Sequence, residues 1–323
     1  MSDVAPWSAA ETAAHLHRPT DDDDKYSRGV VGMRTGSDAY PGAAVLGVEG
    51  AWRAGAGMVR YVGPDAAASL VLARRPETVR GEGRVQAWVV GSGMPEVDAR
   101  KGLDEVLGGD QPVVIDAGAL GAVRAAPTGA TGALPPRVLT PHRGELARLR
   151  AGLGLSESWA DDAEAARETA VATGATVLLK GARTWIATPG GWLGLVRSGA
   201  PWLSSAGTGD VLAGVVGAIV AARGAEVSAD AEALGPLAAS AAWLHGAAGR
   251  HASGMPVFEG AVFEGAVFED TVFEDTVLED TVLERAAAGT SGDERTSGVG
   301  RGHPLVALDV AEAIPRVWAR LRP

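Results

Sequence analysis

No cysteine occurs in the chain, so disulfides, thiolate metal sites and a thiol nucleophile are all excluded. Nor is there an uninterrupted apolar run of ~18 or more residues. The first residues carry acids and histidines where a secretory signal needs a basic start and an apolar stretch. A soluble, cytoplasmic protein is expected. The chain has no Gly-x-x-x-x-Gly-Lys-Ser/Thr phosphate loop, no Gly-x-Ser-x-Gly nucleophile turn and no His-Glu-x-x-His zinc helix. Phenylalanine is scarce: all four (Phe258, Phe263, Phe268 and Phe273) fall in one biased tract, so the rest of the protein builds its core without it.

What is present is 323 residues with 46% hydrophobic content, enough for one large α/β domain or two small ones. The net charge of −11 argues against nucleic acid as a partner, but it is unevenly spread. Val257–Arg285 holds six Glu and three Asp against one Arg, leaving about −3 for everything else, an ordinary surface. That tract repeats a five-residue unit, from Val257-Phe258-Glu259-Gly260 to Thr281–Arg285, and continues into a Gly/Ser-rich stretch. A handful of such units cannot bury a continuous core, which favours an acidic, low-complexity surface insertion over residues 257–302. Residues 1–24 show no helical or strand period and are expected to be a mobile arm. His15 and His17 stand two apart with no third ligand nearby, and no metal site is assigned. Residues 303–323 return to a Val/Ala/Leu pattern expected to pack back on the main domain, 25–256.

From Tyr26, glycine-rich turns (Gly29–Gly32, then Gly36–Gly42) alternate with apolar runs. Ala43–Ala54 reads as a helix ended by Gly55-Ala56-Gly57, and Met58–Val62 as a strand. Further strands are expected at Ala87–Val90, Pro112–Ile115, Val138–Thr140 and Thr176–Leu179, with a polar-faced helix at Asp161–Thr173 and a hairpin over Trp185–Gly191. A helical stretch Leu237–His251 contains Trp243 and His245. Short apolar strands separated by helices predict an α/β fold with a parallel sheet covered on both faces. In such sheets ligands bind at the carboxyl ends of the strands, where most of the charged or glycine-rich loops lie.

One turn concentrates chemistry: Ser204-Ser205-Ala206-Gly207-Thr208-Gly209-Asp210, running into the apolar helix Val211–Ala222. Gly207 and Gly209 lack a Cβ, so the backbone there can take positive φ and turn its N–H groups inward, giving an anion site at a helix start. Asp210 could take a proton from a hydroxyl held beside a bound phosphate, or it could simply cap the helix. Thr140-Pro141-His142-Arg143-Gly144-Glu145 sits where a strand gives way to a helix. There His142 projects toward the cleft or stays an exposed capping residue, and Glu145 could meet a hydrated metal or helix N–H groups. Lys180-Gly181-Ala182-Arg183-Thr184 follows a strand, its lysine either a counter-charge for phosphate or a solvated turn residue.

Taken in order, the blocks Lys25-Tyr26-x-x-Gly29, Gly42-Ala43-Ala44 with Arg53–Gly57, Asp116-Ala117-x-Ala119-Leu120, Leu139-Thr140-Pro141-His142-x-Gly144-Glu145, Lys180-Gly181-Ala182-x-Thr184 and Ala206–Gly214 resemble the ADP-dependent NAD(P)H-hydrate dehydratases, a ribokinase-like family. The resemblance covers roughly 25–256 and 303–323. It implies a three-layer α/β/α fold and dehydration of the (S)-form of NADHX or NADPHX, with ADP as co-substrate and Mg2+ carried on the nucleotide phosphates. It also implies that Asp210 activates the C6 hydroxyl of the hydrated ring to attack the β-phosphate of ADP, leaving AMP and phosphate. Ala43, Gly93, His142 and Asp210 would contact the hydrated dinucleotide. Lys180, Gly181, Ala182, Arg183, Thr184, Gly207, Thr208 and Gly209 would hold the nucleotide. A homotetramer is implied, as is a separate epimerase for the other hydrate isomer, since only ~25 residues precede the matching region and a domain needs ~100. The chain departs from the family pattern at Gly118, where a second Asp is usual, at Gly91-Ser92-Gly93-Met94-Pro95, where Gly-Pro-Gly-x-Gly is usual, and at Ala200-Pro201-Trp202. The alternative is a ribokinase-like, ATP-dependent kinase of a small alcohol or vitamin precursor, using the same Asp210.

Overall fold

The computed structural model describes residues 4–126, 134–257 and 302–322; the five-residue repeat from Phe258 onward lies outside the described residues. Nine strands among them form one sheet: β1 (Val30–Arg34), β2 (Met58–Tyr61), β3 (Val79–Arg80), β4 (Ala87–Val90), β5 (Val113–Ile115), β6 (Arg137–Leu139), β7 (Thr176–Leu179), β8 (Thr184–Ala187) and β9 (Leu193–Val196). Their order is β3-β2-β1-β4-β5-β6-β7-β8-β9, parallel as far as β7 and antiparallel for the last two.

Strand side chains alternate between faces, and here both faces are apolar, which is what a sheet covered on both sides demands. Val31, Met33, Val89, Val114, Val138 and Leu178 join one buried cluster, while their neighbours Val30, Val90, Val113, Ile115, Leu139 and Leu179 join the other. The first cluster is completed by helices α1 (Ala9–His15), α2 (Pro41–Arg53) and α3 (Asp65–Arg74), and the second by α4 (Glu96–Leu107), α5 (Arg143–Gly152) and α6 (Asp162–Thr173). On the first face also lie α7 (Thr208–Ala222), the short α8 (Gly224–Ala229), α9 (Leu234–Ala252) and α10 (Ala307–Arg320). The result is the expected three-layer α/β/α sandwich with a mostly parallel sheet. Among the described residues no helix is long and apolar enough to cross a membrane.

Two expectations fail locally. The N-terminal segment is not an unstructured arm: Ser8 and Glu11 form a reciprocal capping box at the start of α1, and Ala13 and Leu16 are buried in the first cluster. Trp7 packs edge-on against Trp192, and its backbone N–H donates to the Leu195 carbonyl. A short helix tethered by tertiary contacts leaves no long period to read in sequence. Gly29–Gly32, taken as a turn, instead enters the central strand β1. Gly32 sits there because the Trp88 ring of β4 passes over it; a Cβ would lie 2.3 Å from that ring.

The helix that carries Asp210 is held by close backbone approach. A Cβ on Gly50 would lie 2.3 Å from the Val211 carbonyl oxygen, and one on Gly214 2.0 Å from that of Gly47, so α2 and α7 meet main chain to main chain. This contact fixes the first turn of α7 against α2 at the carboxyl edge of the sheet.

Candidate active site

Parallel strands β5, β6 and β7 end side by side, so the residues that follow them converge. The Lys180 N–H bonds the Pro141 carbonyl at 2.8 Å, and His142 and Lys180 form an isolated parallel bridge, which sets the Thr-Pro-His and Lys-Gly-Ala blocks against each other. Asp116, just past β5, is 2% exposed and accepts three hydrogen bonds: from Ser92 Oγ at 2.8 Å, Thr140 Oγ1 at 2.7 Å and Lys180 Nζ at 2.9 Å. Burial opposes its ionisation, but the Lys180 charge and the three donors outweigh it and hold the carboxyl below its ordinary range. Lys180 is pushed up by the same pairing against its own burial, with Glu145 Oε2 a further 3.8 Å away. The residue after Asp116, Ala117, has a positive φ of 44°, backbone strain next to a functional carboxylate.

Across from this cluster stands the first turn of α7. Gly207 is its N-cap with φ +88°, and the Thr208 hydroxyl donates to the Leu203 and Ser205 carbonyls, pinning the Ser204–Gly207 turn. The helix starts at Thr208, three residues earlier than expected, and only Gly207 of the two glycines takes positive φ. Gly209 is helical and serves clearance: a Cβ there would lie 3.5 Å from Lys180 Nζ, so the lysine ammonium reaches the amide end of α7. Asp210, also in this turn, is half-buried. Burial chiefly, and the nearby Asp116 charge next, push its carboxyl up to about 6 despite Lys180.

His142 is the N-cap of α5. Its Nδ1 accepts from the Gly144 and Glu145 N–H groups at 3.0 and 3.3 Å, while the Glu145 carboxylate accepts the His142 N–H at 2.8 Å. The capping interpretation of this histidine is therefore correct, and its ring is still exposed at the rim of the cleft. The Lys180–Thr184 turn closes on itself, Thr184 Oγ1 donating to the Gly181 carbonyl at 3.0 Å, and Arg183 is exposed.

A cavity of 530 Å3 joins these pieces: His142, Lys180, Gly181, Ala182, Thr184, Thr208 and Gly209 all line it. It also takes in Ser198, Ala200, Leu212, Ala242 and His245, which motif reading did not single out. Arg183, Gly207, Asp210, Ala43 and Gly93 are not among its lining residues. Ala43 and Gly93 instead touch each other, a Cβ on Gly93 falling 2.4 Å from that of Ala43, at the crevice between β1 and β4 where strand order reverses. One turn on along α2, Leu46 and Gly47 meet Gly207 and the Asp210 backbone, so Asp210 stands between that wall and the cavity.

Two departures from the family pattern are in contact. A Cβ on Gly118 would lie 2.3 Å from the Met94 carbonyl oxygen, so no aspartate fits there while the Gly91–Pro95 loop keeps this path. The same loop supplies Ser92, whose hydroxyl holds Asp116. Among the described residues no group of three or more His, Asp and Glu side chains is arranged to hold a metal.

Residues 31–260 match the NAD(P)H-hydrate dehydratase family. The bifunctional NAD(P)H-hydrate repair enzyme Nnr of Mycobacterium tuberculosis is 45% identical over 226 residues, 68% of this chain and 46% of that protein; the chain thus spans about half the length of such relatives. An ADP-dependent (S)-NAD(P)H-hydrate dehydratase of Bacillus subtilis is 33% identical over 65% of this chain and 79% of its own. In fold, a Bacillus subtilis ADP/ATP-dependent NAD(P)H-hydrate dehydratase co-crystallised with ATP and Mg2+ matches with a TM-score of 0.73 at 26% identity, covering 100% of each chain. An Enterococcus faecalis ribokinase-like superfamily protein, 19% identical, matches with a TM-score of 0.71 over 99% of this chain and 97% of its own, a likeness of fold. With its motifs gathered at one edge of a ribokinase-like sheet, the chain belongs to the NAD(P)H-hydrate dehydratase family.

Proposed function

We propose that the protein is an ADP-dependent hydro-lyase that returns the (S)-hydrates of NADH and NADPH to NADH and NADPH. The observation that carries this is the pairing of a carboxylate of raised proton affinity, Asp210, with the amide end of α7 and the Lys180 ammonium. Phosphoryl transfer to an alcohol needs those parts: a base for the attacking oxygen and fixed positive ends for the charge on the phosphoryl group.

In the reaction, Asp210 takes the proton of the C6 hydroxyl as that oxygen attacks the β-phosphorus of ADP. The O–P bond to AMP breaks and AMP leaves with its electron pair. The phosphorylated hydrate then expels phosphate as its C6–O bond breaks with help from the ring nitrogen lone pair, and loss of a proton from C5 restores the dihydronicotinamide. The Ala43–Gly93 wall receives the hydrated ring side and His142 its rim, while the Lys180–Thr184 turn with Gly207, Thr208 and Gly209 receives the nucleotide. Burial keeps water from competing with the C6 hydroxyl.

The donor set fits a magnesium ion only as a companion of the phosphates. Both Asp116 oxygens are already engaged and Glu145 Oε2 holds the His142 N–H, so Glu145 would meet the ion's water shell through Oε1. When bound, the ion would neutralise charge on the β-phosphate.

The test is recovery of reduced-nicotinamide absorbance from NADHX and NADPHX with ADP, and with ATP in parallel. Recovery with a nucleotide and none without it is the expected result; no recovery under any condition overturns the assignment.

A further inference from the structure

Ser92 is buried in the loop after β4, between Gly91 at φ +115° and Gly93 at φ +67°. Its backbone belongs to the side of the cleft assigned above to the hydrated dinucleotide: the Ser92 carbonyl accepts the Gly36 N–H at 2.7 Å, just past β1, and a Cβ on the adjacent Gly93 would lie 2.4 Å from that of Ala43. Its side chain serves the other side. The hydroxyl donates to Asp116 Oδ2 at 2.8 Å, while Thr140 Oγ1 and Lys180 Nζ both donate to Oδ1, at 2.7 and 2.9 Å. Among the described residues Ser92 is thus the only side chain that donates to Oδ2.

A carboxylate held through one oxygen can still turn about its Cβ–Cγ bond, the broad, two-fold torsion of aspartate, whereas one gripped at both oxygens cannot. That matters for Lys180. Its ammonium is a point charge on a flexible four-carbon stem, with no fixed geometry of its own. Two carboxylates are within its reach, Asp116 at 2.9 Å and Glu145 at 3.8 Å, and it stands 3.5 Å from where a Cβ on Gly209 would be, at the first turn of α7. A fixed Asp116 settles which carboxylate the lysine pairs with, and so where its charge sits. Asp116 is 2% exposed, so without the Ser92 hydroxyl Oδ2 is left buried with no donor. That state is costly, and the carboxylate relieves it by turning toward Thr140 and Lys180. The ammonium then loses its fixed post.

We propose that Ser92 is a positioning residue for the nucleotide: by gripping Asp116 Oδ2 it holds Lys180 at the amide end of α7, where the phosphates of ADP bind. This rests on the nucleotide assignment of the cleft given above. It runs against what position along the chain suggests, since the next residue, Gly93, is assigned to the hydrated dinucleotide.

The experiment compares the wild type with Ser92→Ala and Ser92→Cys. ADP binding is measured by calorimetry, KM for ADP and for NADHX by absorbance recovery, and folding by urea midpoints. Ser92→Ala binds ADP roughly 5- to 30-fold more weakly and raises KM for ADP to match, while KM for NADHX stays within about twofold of the wild type. Ser92→Cys, close in size and with a weak S–H donor, falls between the two. If Ser92→Ala does not fold, the same split between the two KM values is read from Ser92→Cys. A serine that merely packs the loop would instead lower the urea midpoint and raise KM for NADHX, through Gly93, with ADP binding intact. That result overturns the proposal, as does an equal rise in both KM values, or a Ser92→Ala protein that binds ADP as the wild type does. Wild-type turnover of NADHX with ADP, matched by Ser92→Ala, removes this role alone, whereas a wild type that does not bind ADP removes the dehydratase assignment as well.

Discussion

Two aspartates lie near the Lys180 ammonium, and their environments push them in opposite directions. Asp116 is the more buried, yet Lys180, Thr140 and Ser92 saturate it and hold it ionised. Asp210 is less buried, but burial and the Asp116 charge raise its proton affinity to about 6. Burial alone therefore does not decide a carboxylate's state; the donors supplied to it do. One of the pair is a fixed anion that anchors a lysine; the other, in the reaction proposed above, is the base, poised near working pH.

Abolishing the base is the largest break in this contrast. Asp210→Asn lowers turnover by about 10²–10⁴-fold while ADP still binds, measured by NADHX-dependent absorbance recovery and by calorimetry. Next comes the anchor. Asp116→Asn removes one partner of a buried pair and costs on the order of 3 kcal/mol in urea unfolding. In the folded fraction it also moves the acid limb of the pH–rate profile, centred near about 6 in the wild type, toward lower pH, because a like charge beside Asp210 is gone. Burial still holds the midpoint above the ordinary carboxylate value.

A smaller effect runs against activity. Since Asp210 binds its proton more tightly when folded, its contribution to stability is present at low pH and is lost as pH rises from 3.8 through about 6. Asp210→Asn is therefore more stable than wild type by ~1–3 kcal/mol at pH 7, and the gain shrinks toward pH 4, measured by urea midpoints across that range. The smallest change is Gly209→Ala. The residue is helical and its Cβ would lie 3.5 Å from Lys180 Nζ, so the fold gains roughly 0.5–1 kcal/mol of helix propensity in a thermal melt. ADP binds more weakly, because the methyl occupies the space between ammonium and phosphate.

Much of the sheet could be read directly. Ala87–Val90 and Thr176–Leu179 are short, apolar and bounded by turn residues, so local composition suffices. β1 could not be read in that way, because Gly32 looks like a breaker until the Trp88 ring is known to cover it. Likewise α1 has only seven residues and depends on Leu195 and Trp192 far along the chain. Within the cleft, Asp116 stood in a motif without a role, since its partners Ser92, Thr140 and Lys180 are distant in sequence. His245 was visible only as one residue of an apolar helix.

The sequence by itself determined where the glycine-bearing turn at the start of α7 lies and which loops end at the carboxyl edge of the sheet. Glycine without a Cβ, a helix start and strand punctuation are local matters, settled within a few residues. Only the tertiary structure decided which aspartate stays charged and what holds Lys180. Those depend on burial and on charges brought together from strands far apart in the chain, and Coulomb and desolvation energies follow distance in space rather than along the sequence.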